Sequence, residues 1–311
     1  MILATVTRSG LVESIHYGAI AALDSSGTVL ASDGDIDRVF YLRSAAKPFQ
    51  AAVSQELGAD LVPEQMAVAC GSHRGQPVHV ALVRSMLDEV GLDESHLQCP
   101  PSWPAAPAAS RRVIAQGHGE QRRIWHNCSG KHAAMLRACV AQGWSLDDYL
   151  SPTHPLQQAI FETIREVGGH DPGPVGVDGC GAPVFRGSVR SLATAFARLS
   201  DLRFEQAWTA MHRYPALTCD QGQPPAELAT ALDAVAKAGA EGSLGLSLHG
   251  GIGLAVKAWD GSSRPAGPAI VEMLRRIGQV GYAVQLDSVE RLPVYGGGRE
   301  VGGTTARENS F

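Results

Sequence analysis

Strand-like apolar runs sit at the two ends of this 311-residue chain, and helical patterns fill its middle. No feature constrains the fold more, because a hairpin at one end and strands at the other make one sheet only by pairing across the length of the chain. Residues 2–7 and 16–23 read as strands, with the turn sequence Asp24-Ser25-Ser26-Gly27 between Ile15–Leu23 and Thr28–Ala31. After residue 240, Leu244–Leu248 and Ile252–Trp259 read as strands flanking Gly250-Gly251, and a last strand falls near Leu292–Tyr295. Helices are expected over 78–90, 133–142, 155–167, 187–199, 203–213, 225–237 and 268–283, with a Gly/Thr-rich irregular tail from Gly296 to Phe311. The expected fold is α/β (α+β): one antiparallel sheet built from both chain ends, flanked by helices, with a mostly helical insertion. The whole of 1–311 then forms one domain. Its sheet subdomain covers about 1–45 and 240–311, and its helical subdomain about 46–239.

Within this frame Arg43-Ser44-Ala45-Ala46-Lys47-Pro48-Phe49-Gln50 opens an amphipathic helical run. A helix starting at Ser44 puts Ser44 and Lys47 on one face, one turn apart, and tolerates Pro48 in its first turn. A serine at a helix start sits where free N–H groups and the positive dipole end favour an anion. Ser-x-x-Lys is also the arrangement of serine acyl-transfer enzymes. Taken alone, an N-capping serine with a surface lysine is the commoner reading.

Polar clusters interrupt apolar elements at Gly71–Gly75, Asn127–His132 and Asp178–Cys180. Ser72 is a turn serine or a second proton-relay hydroxyl. Cys128 and Lys131 share a helix face, and Cys180 lies in a separate glycine-rich turn. Two thiolates and a nitrogen from different elements suit zinc, although a lysine must lose its proton to coordinate; the other reading is a pair of small buried thiols. His132 is a substrate contact or a satisfied core histidine. Asp178 holds an ammonium or builds a turn. Lys257, inside Leu254–Trp259, is an outward strand residue or points into a site.

The net charge of -5 and the absence of a basic run exclude a nucleic-acid binder. Met1–Arg8 is too short and too soon polar for a signal peptide, and no apolar run approaches a membrane span. The expected compartment is the cytoplasm, where the six cysteines are thiols or ligands rather than a disulfide framework.

Together these clusters resemble the bacterial asparaginases of the Rhizobium type, the class 3 asparaginases, whose members share a serine β-lactamase and glutaminase-like fold. The resemblance runs through Thr7-Arg8-x-Gly10-Leu11-Val12-Glu13-Ser14-x-His16-x-Gly18-Ala19, Arg43–Gln50, Ser72-His73-x-Gly75, Asn127-Cys128-Ser129-Gly130-Lys131-His132, Asp178-Gly179-Cys180-Gly181-Ala182-Pro183 and Lys237-x-Gly239-Ala240-Glu241-Gly242. It implies Ser44 and Lys47 as one catalytic pair and Ser72 with Lys257 as a second. It implies a zinc site of Cys128, Lys131 and Cys180, a pocket lined by Arg43, His132 and Asp178, and a homodimer. The activity implied is hydrolysis of the L-asparagine side-chain amide through an acyl-serine. Lys47, or a Lys257–Ser72 relay, is the expected base, which requires an amine moved about three units below roughly 10.4.

The chain departs from the family pattern at Gln76, around Met211–Gly222 and at Ser247–Gly251. Those departures keep open a related Ser-Lys amidase acting on another amide or amino-acid conjugate. A non-catalytic zinc-containing binding protein is the reading from outside the enzymes.

Overall fold

The computed structural model describes residues 1–219, 223–281 and 286–307. The strands are β1 (Ile2–Arg8), β2 (Leu11–Asp24), β3 (Val29–Asp33), β4 (Phe40–Tyr41), β5 (Gly176–Val177), β6 (Pro183–Val184), β7 (Arg186–Gly187), β8 (Ala234–Gly239), β9 (Ser243–Leu248), β10 (Ile252–Ala258), β11 (Arg291–Gly296) and β12 (Arg299–Ala306). The helices are α1 (Lys47–Glu56), α2 (Pro63–Cys70), α3 (Pro77–Asp88), α4 (Pro107–Ala115), α5 (Ser129–Gln142), α6 (Pro155–Gly168), α7 (Val189–Arg198), α8 (Glu205–Arg213), α9 (Pro215–Thr218), α10 (Pro224–Ala231), α11 (Ala266–Arg276) and α12 (Asp287–Glu290).

The main sheet runs β11-β12-β1-β2-β10-β9-β8, with β3 also paired to β2. Every pairing is antiparallel. N-terminal and C-terminal strands interleave, as the end-loaded strand pattern requires. Because side chains alternate between faces, Ala19, Ala21 and Leu23 of β2 face the helical body, while Ile20 and Ala22 pack on the other face with Ile270, Val271 and Leu274 of α11. Helix α7 lies on the first face, close enough that a Cβ at Gly253 of β10 would collide with Ala193 O and Ala197 N.

In the helical body α1 is buried along nearly its whole length. Phe49 packs edge-on against Phe196 and Phe204, with ring centroids 5.9 and 5.5 Å apart. Contacts of this kind add about 0.5–1.5 kcal/mol each beyond area burial. They fix the helix that begins at Lys47 against α7 and the 3-10 turn Leu202–Phe204 that leads into α8.

Two expectations fail. Residues 225–237 are not one helix: α10 ends at Ala231, and Ala234–Gly239 is strand β8, so the sheet resumes six residues before 240. Ala234 and Ala236 face one core and Val235 the other, which is strand alternation. The tail is not irregular either, since β12 pairs with β1 through Ala4↔Ala306, Thr5↔Thr305 and Val6↔Thr304. The expected helix 268–283 is α11, ending at Arg276; residues 282–283, and 308–311 of the tail, lie outside the described residues. Residues 63–70, Pro63 to Cys70, form helix α2, which ends at the polar cluster Gly71–Gly75. Among the described residues no helix is long and apolar enough to cross a membrane.

Candidate active site

Ser44 lies in a single 3-10 turn, Arg43–Ala46, that runs directly into α1. The amide of Leu42 donates to Phe185 O at 3.0 Å and anchors the approach. Arg43 has φ +52°, a left-handed conformation that costs a long side chain about 1–3 kcal/mol and is typical of residues held in place at functional sites. Half-buried Ser44 therefore follows a strained residue and precedes buried Ala45, Ala46 and Lys47. Among the described residues the Ser44 amide N–H has no hydrogen-bond partner.

Lys47 is completely buried. Its Nζ donates to Gly71 O at 2.8 Å, Ser72 Oγ at 3.0 Å and Asn127 O at 3.3 Å. The start of α1, the end of α2 and the start of α5 are thus drawn onto one amine. The Ser44 hydroxyl is not among these partners. Hydrogen bonds to a nucleophile are often long before substrate binds.

Ser72 Oγ also lies 3.0 Å from Nζ of Lys237, which donates in addition to Ala238 O at 2.6 Å. A hydroxyl oxygen that accepts from two amines has its own proton free to donate. Lys237 is buried. Its burial first, and then the nearby Lys47 cation, lower its pKa from 10.5 to about 7. Lys237 is the amine that this environment brings into the range of a base at neutral pH.

The pairing of Ser72 with Lys257 needs correction. In the sheet, Lys237 aligns with Gly245 and Ala255, whereas Lys257 aligns through Ser243 with Gly239, one pleat nearer the hairpin turn. Lys257 Nζ accordingly donates to Glu241 O at 2.6 Å and to Ala258 O, not to Ser72. Lys237 was missed because 234–237 reads as the end of a helix. A signal was available: Lys237-Ala238-Gly239 has the Lys-x-Gly form of the Lys-Thr-Gly motif of serine β-lactamases.

Gly239 brings β8 against the serine turn. A Cβ there would meet Leu42 O at 2.7 Å and Ala45 N at 3.4 Å. Ala240, the next residue, is exposed, and its amide N–H has no partner among the described residues.

Beside this network lie Cys128, Lys131, His132, Asp178 and Cys180, with Arg43 reaching in from the serine turn. Arg43 Nε donates to Asp178 Oδ1 at 2.7 Å, and Gly179 N donates to the same oxygen at 2.8 Å. Burial is the largest influence on Asp178 and raises its pKa, but Lys131, Gly179 and Arg43 together hold it below the ordinary value. A hydrogen bond from the Cys128 thiol outweighs burial at Cys180 and, with the Lys131 cation, lowers it to about 5. Burial pushes Lys131 down most strongly, yet Cys180, Cys128 and Asp178 hold it above its ordinary value. His132 is buried, with Nδ1 2.7 Å from the Tyr149 hydroxyl. Its Nε2 is buried and without a partner among the described residues.

Two adjacent thiols, one held as thiolate, beside an amine make a donor set whose softness suits zinc. Among the described residues no three His, Cys, Asp or Glu side chains group as a metal site, so a metal here would need Lys131 as its third ligand. Without a metal, the Lys131 ammonium balances the Cys180 thiolate.

The solved structures similar in shape include Mglu in its native form, at 13% identity over 86% of this chain and 66% of that one, with a TM-score of 0.45. They also include a β-lactamase from Mycobacterium bovis, at 17% identity over 84% and 94% of the two chains with a TM-score of 0.44. A Bacillus glutaminase crystallised in 4.3 M NaCl matches at 13% identity over 83% and 90%, with a TM-score of 0.46. The chain thus spans just under two thirds of the length of Mglu. No curated protein matches the sequence. The profile of the family described as L-asparaginase II matches residues 4–306, and the chain belongs to the L-asparaginase II family.

Proposed function

We propose that this amide hydrolase is an L-asparagine amidohydrolase that works through an acyl-serine on Ser44. The observation that carries the proposal is the Ser72 hydroxyl, held 3.0 Å from both Lys237 and Lys47, the second of which lies one turn along the chain from Ser44. Membership of the L-asparaginase II family supports the choice of substrate.

Ser44 gives its proton into the chain Lys47–Ser72–Lys237, whose terminal amine is neutral for about half the molecules near pH 7. The Ser44 oxygen bonds to the side-chain amide carbon, and the carbonyl oxygen becomes an oxyanion. The unpartnered N–H groups of Ser44 and Ala240 are its proposed donors, each worth about 10²–10³ in rate. Collapse breaks the C–N bond, and the leaving nitrogen takes a proton from Ser72 and departs as ammonia. Water then attacks the aspartyl ester, gives its proton to the same chain, and Ser44 is released with its proton restored.

Arg43, Asp178 and His132 are the proposed substrate contacts, Arg43 offering a cation for a carboxylate and Asp178 an anion for an ammonium. Zinc held by Cys128, Lys131 and Cys180 would supply a fixed positive charge that orients the substrate or polarises its carbonyl. The proposal extends to a homodimer in the cytoplasm, which light scattering and cell fractionation test.

The deciding experiment measures ammonia release from asparagine, glutamine and other amides, with and without zinc, on wild type and Ser44→Ala. Asparagine is expected to be the best substrate, with an aspartyl adduct on Ser44 visible by mass spectrometry. A different preferred amide would favour the related-amidase reading that the changes at Gln76 and Ser247–Gly251 leave open. Full turnover by Ser44→Ala would remove the acyl-serine mechanism.

A further inference from the structure

Lys257 holds no position next to Ser72, yet it is 7% exposed and its ammonium contacts both segments that meet at the serine. On one side Nζ donates to Glu241 O at 2.6 Å. On the other it lies 5.9 Å from the ring centroid of Phe40 and 5.3 Å from that of Trp259, within the range of cation–π attraction. The two rings stack edge to face at 6.4 Å. Phe40 begins the strand that leads into Arg43 and Ser44, and Glu241 follows Ala240 in the turn after β8.

That turn needs holding. Glu241 and Gly242 both have left-handed backbones, at φ +60° and +69°. Gly242 is suited to this, but Glu241 is strained. The turn is tied to the sheet by Ala258 N donating to Gly242 O at 2.9 Å and by Ser243 Oγ donating to Ala240 O at 3.3 Å. Lys257 adds the tie at the strained residue itself.

We propose that Lys257 is a positioning residue that clamps the Ala240–Gly242 turn to the Phe40–Ser44 segment, and so sets the separation of the Ser44 and Ala240 amides that receive the oxyanion. The clamp replaces the proton-relay role that resemblance suggested for this lysine, and it rests on the acyl-serine reading above. Arg38, Glu241 and Asp260 are the charged groups around Lys257; Ser44, Ser72, Lys47 and Lys237 are not among its bonding partners.

The test compares Lys257→Met and Lys257→Arg with wild type. Loosening one oxyanion donor is expected to lower kcat for the amide substrate about 10- to 100-fold in Lys257→Met, with KM changed less than about 3-fold. The acid limb near pH 7, assigned to Lys237, stays in place. Lys257→Arg, which still donates to a carbonyl, recovers part of kcat. Independently of any substrate, hydrogen exchange in the peptide covering 238–243 speeds up in Lys257→Met. An acid limb that moves or disappears in Lys257→Met would make Lys257 the base and overturn the clamp, as would unchanged kcat or unchanged exchange in 238–243. A wild type that hydrolyses no amide defeats the proposed function instead, and the exchange measurement then still decides the clamp.

Discussion

Replacing Lys237 with methionine keeps the length of the side chain and removes the amine at the far end of the proton chain. In the wild type, burial and Lys47 take this group from 10.5 to about 7. At about 1.4 kcal/mol for each factor of ten in proton affinity, holding it charged in the fold costs on the order of 5 kcal/mol. The cost is fully present below the folded pKa, where folded and unfolded chains both carry the proton. Between about pH 7 and 10.5 the folded chain binds fewer protons than the unfolded one, so stability rises with pH across that window. From pH 6 to pH 9 this single group supplies on the order of 3 kcal/mol of rising stability. Lys237→Met lacks that rise. Urea unfolding at the two pH values is therefore expected to show the variant gaining on wild type most at pH 6, with its relative advantage shrinking by on the order of 3 kcal/mol at pH 9. In the same samples the wild-type kcat/KM should fall below about pH 7, where the amine becomes protonated, and the variant should lose about 10²-fold or more in kcat along with that limb. A stability difference that stays constant from pH 6 to 9, or an acid limb that survives the substitution, would refute the assignment of Lys237 as the poised amine.

Ser44→Ala is expected to lower amide hydrolysis by about 10³-fold or more while changing stability by less than about 1 kcal/mol, because the side chain is half-buried and forms no hydrogen bond among the described residues; steady-state kinetics and thermal melts check both halves. Cys180→Ser removes the thiolate that balances Lys131, so elemental analysis is expected to show bound zinc falling from about one per chain towards none; wild-type protein purified without zinc and active in chelator would remove the metal from the site. Gly239→Ala forces a methyl against Leu42 O and Ser243 Oγ, so kcat should fall about 10-fold or more with a loss of about 1–3 kcal/mol in a urea melt, and unchanged values in both would show that the serine turn and β8 are not in close contact.

The end strands were legible because their signal is local. Ile15–Leu23 and Leu254–Ala258 are apolar runs flanked by turn residues, and their antiparallel pairing follows once both must be buried. Strand β8 was not legible for the same local reason. Ala-rich sequence such as Ala226–Ala238 has high helix propensity throughout, and only the register with β9 makes 234–239 a strand. The tail failed differently: glycine and threonine in 302–305 read as irregular, and pairing of β12 with β1 overrides that composition.

The same physics divides the site. Ser44 and Lys47 are three residues apart, so their proximity is a property of one turn and shows in sequence. Lys237 reaches Ser72 across 165 residues, through a sheet register that a one-residue slip would reverse. Two lysines, Lys237 and Lys257, lie in small-residue runs with near-identical apolar patterns, and only the glycine two residues after Lys237 distinguishes them locally. What separates them is the hairpin. Lys237 stands in the row with Gly245 and Ala255, facing the helical body, and Lys257 stands one row nearer the turn, level with Gly239. A spacing of one pleat thus divides the two ammonium groups between two tasks: one shares a hydroxyl with Lys47 and is pushed towards neutrality, and the other finds a carbonyl and two aromatic faces that keep its charge useful as a tie. Moving the amine by one same-face position along β8, in the Lys237→Val/Val235→Lys double variant, should therefore abolish activity even though composition and net charge are unchanged, and recovery of wild-type turnover by that variant would show that the row does not matter.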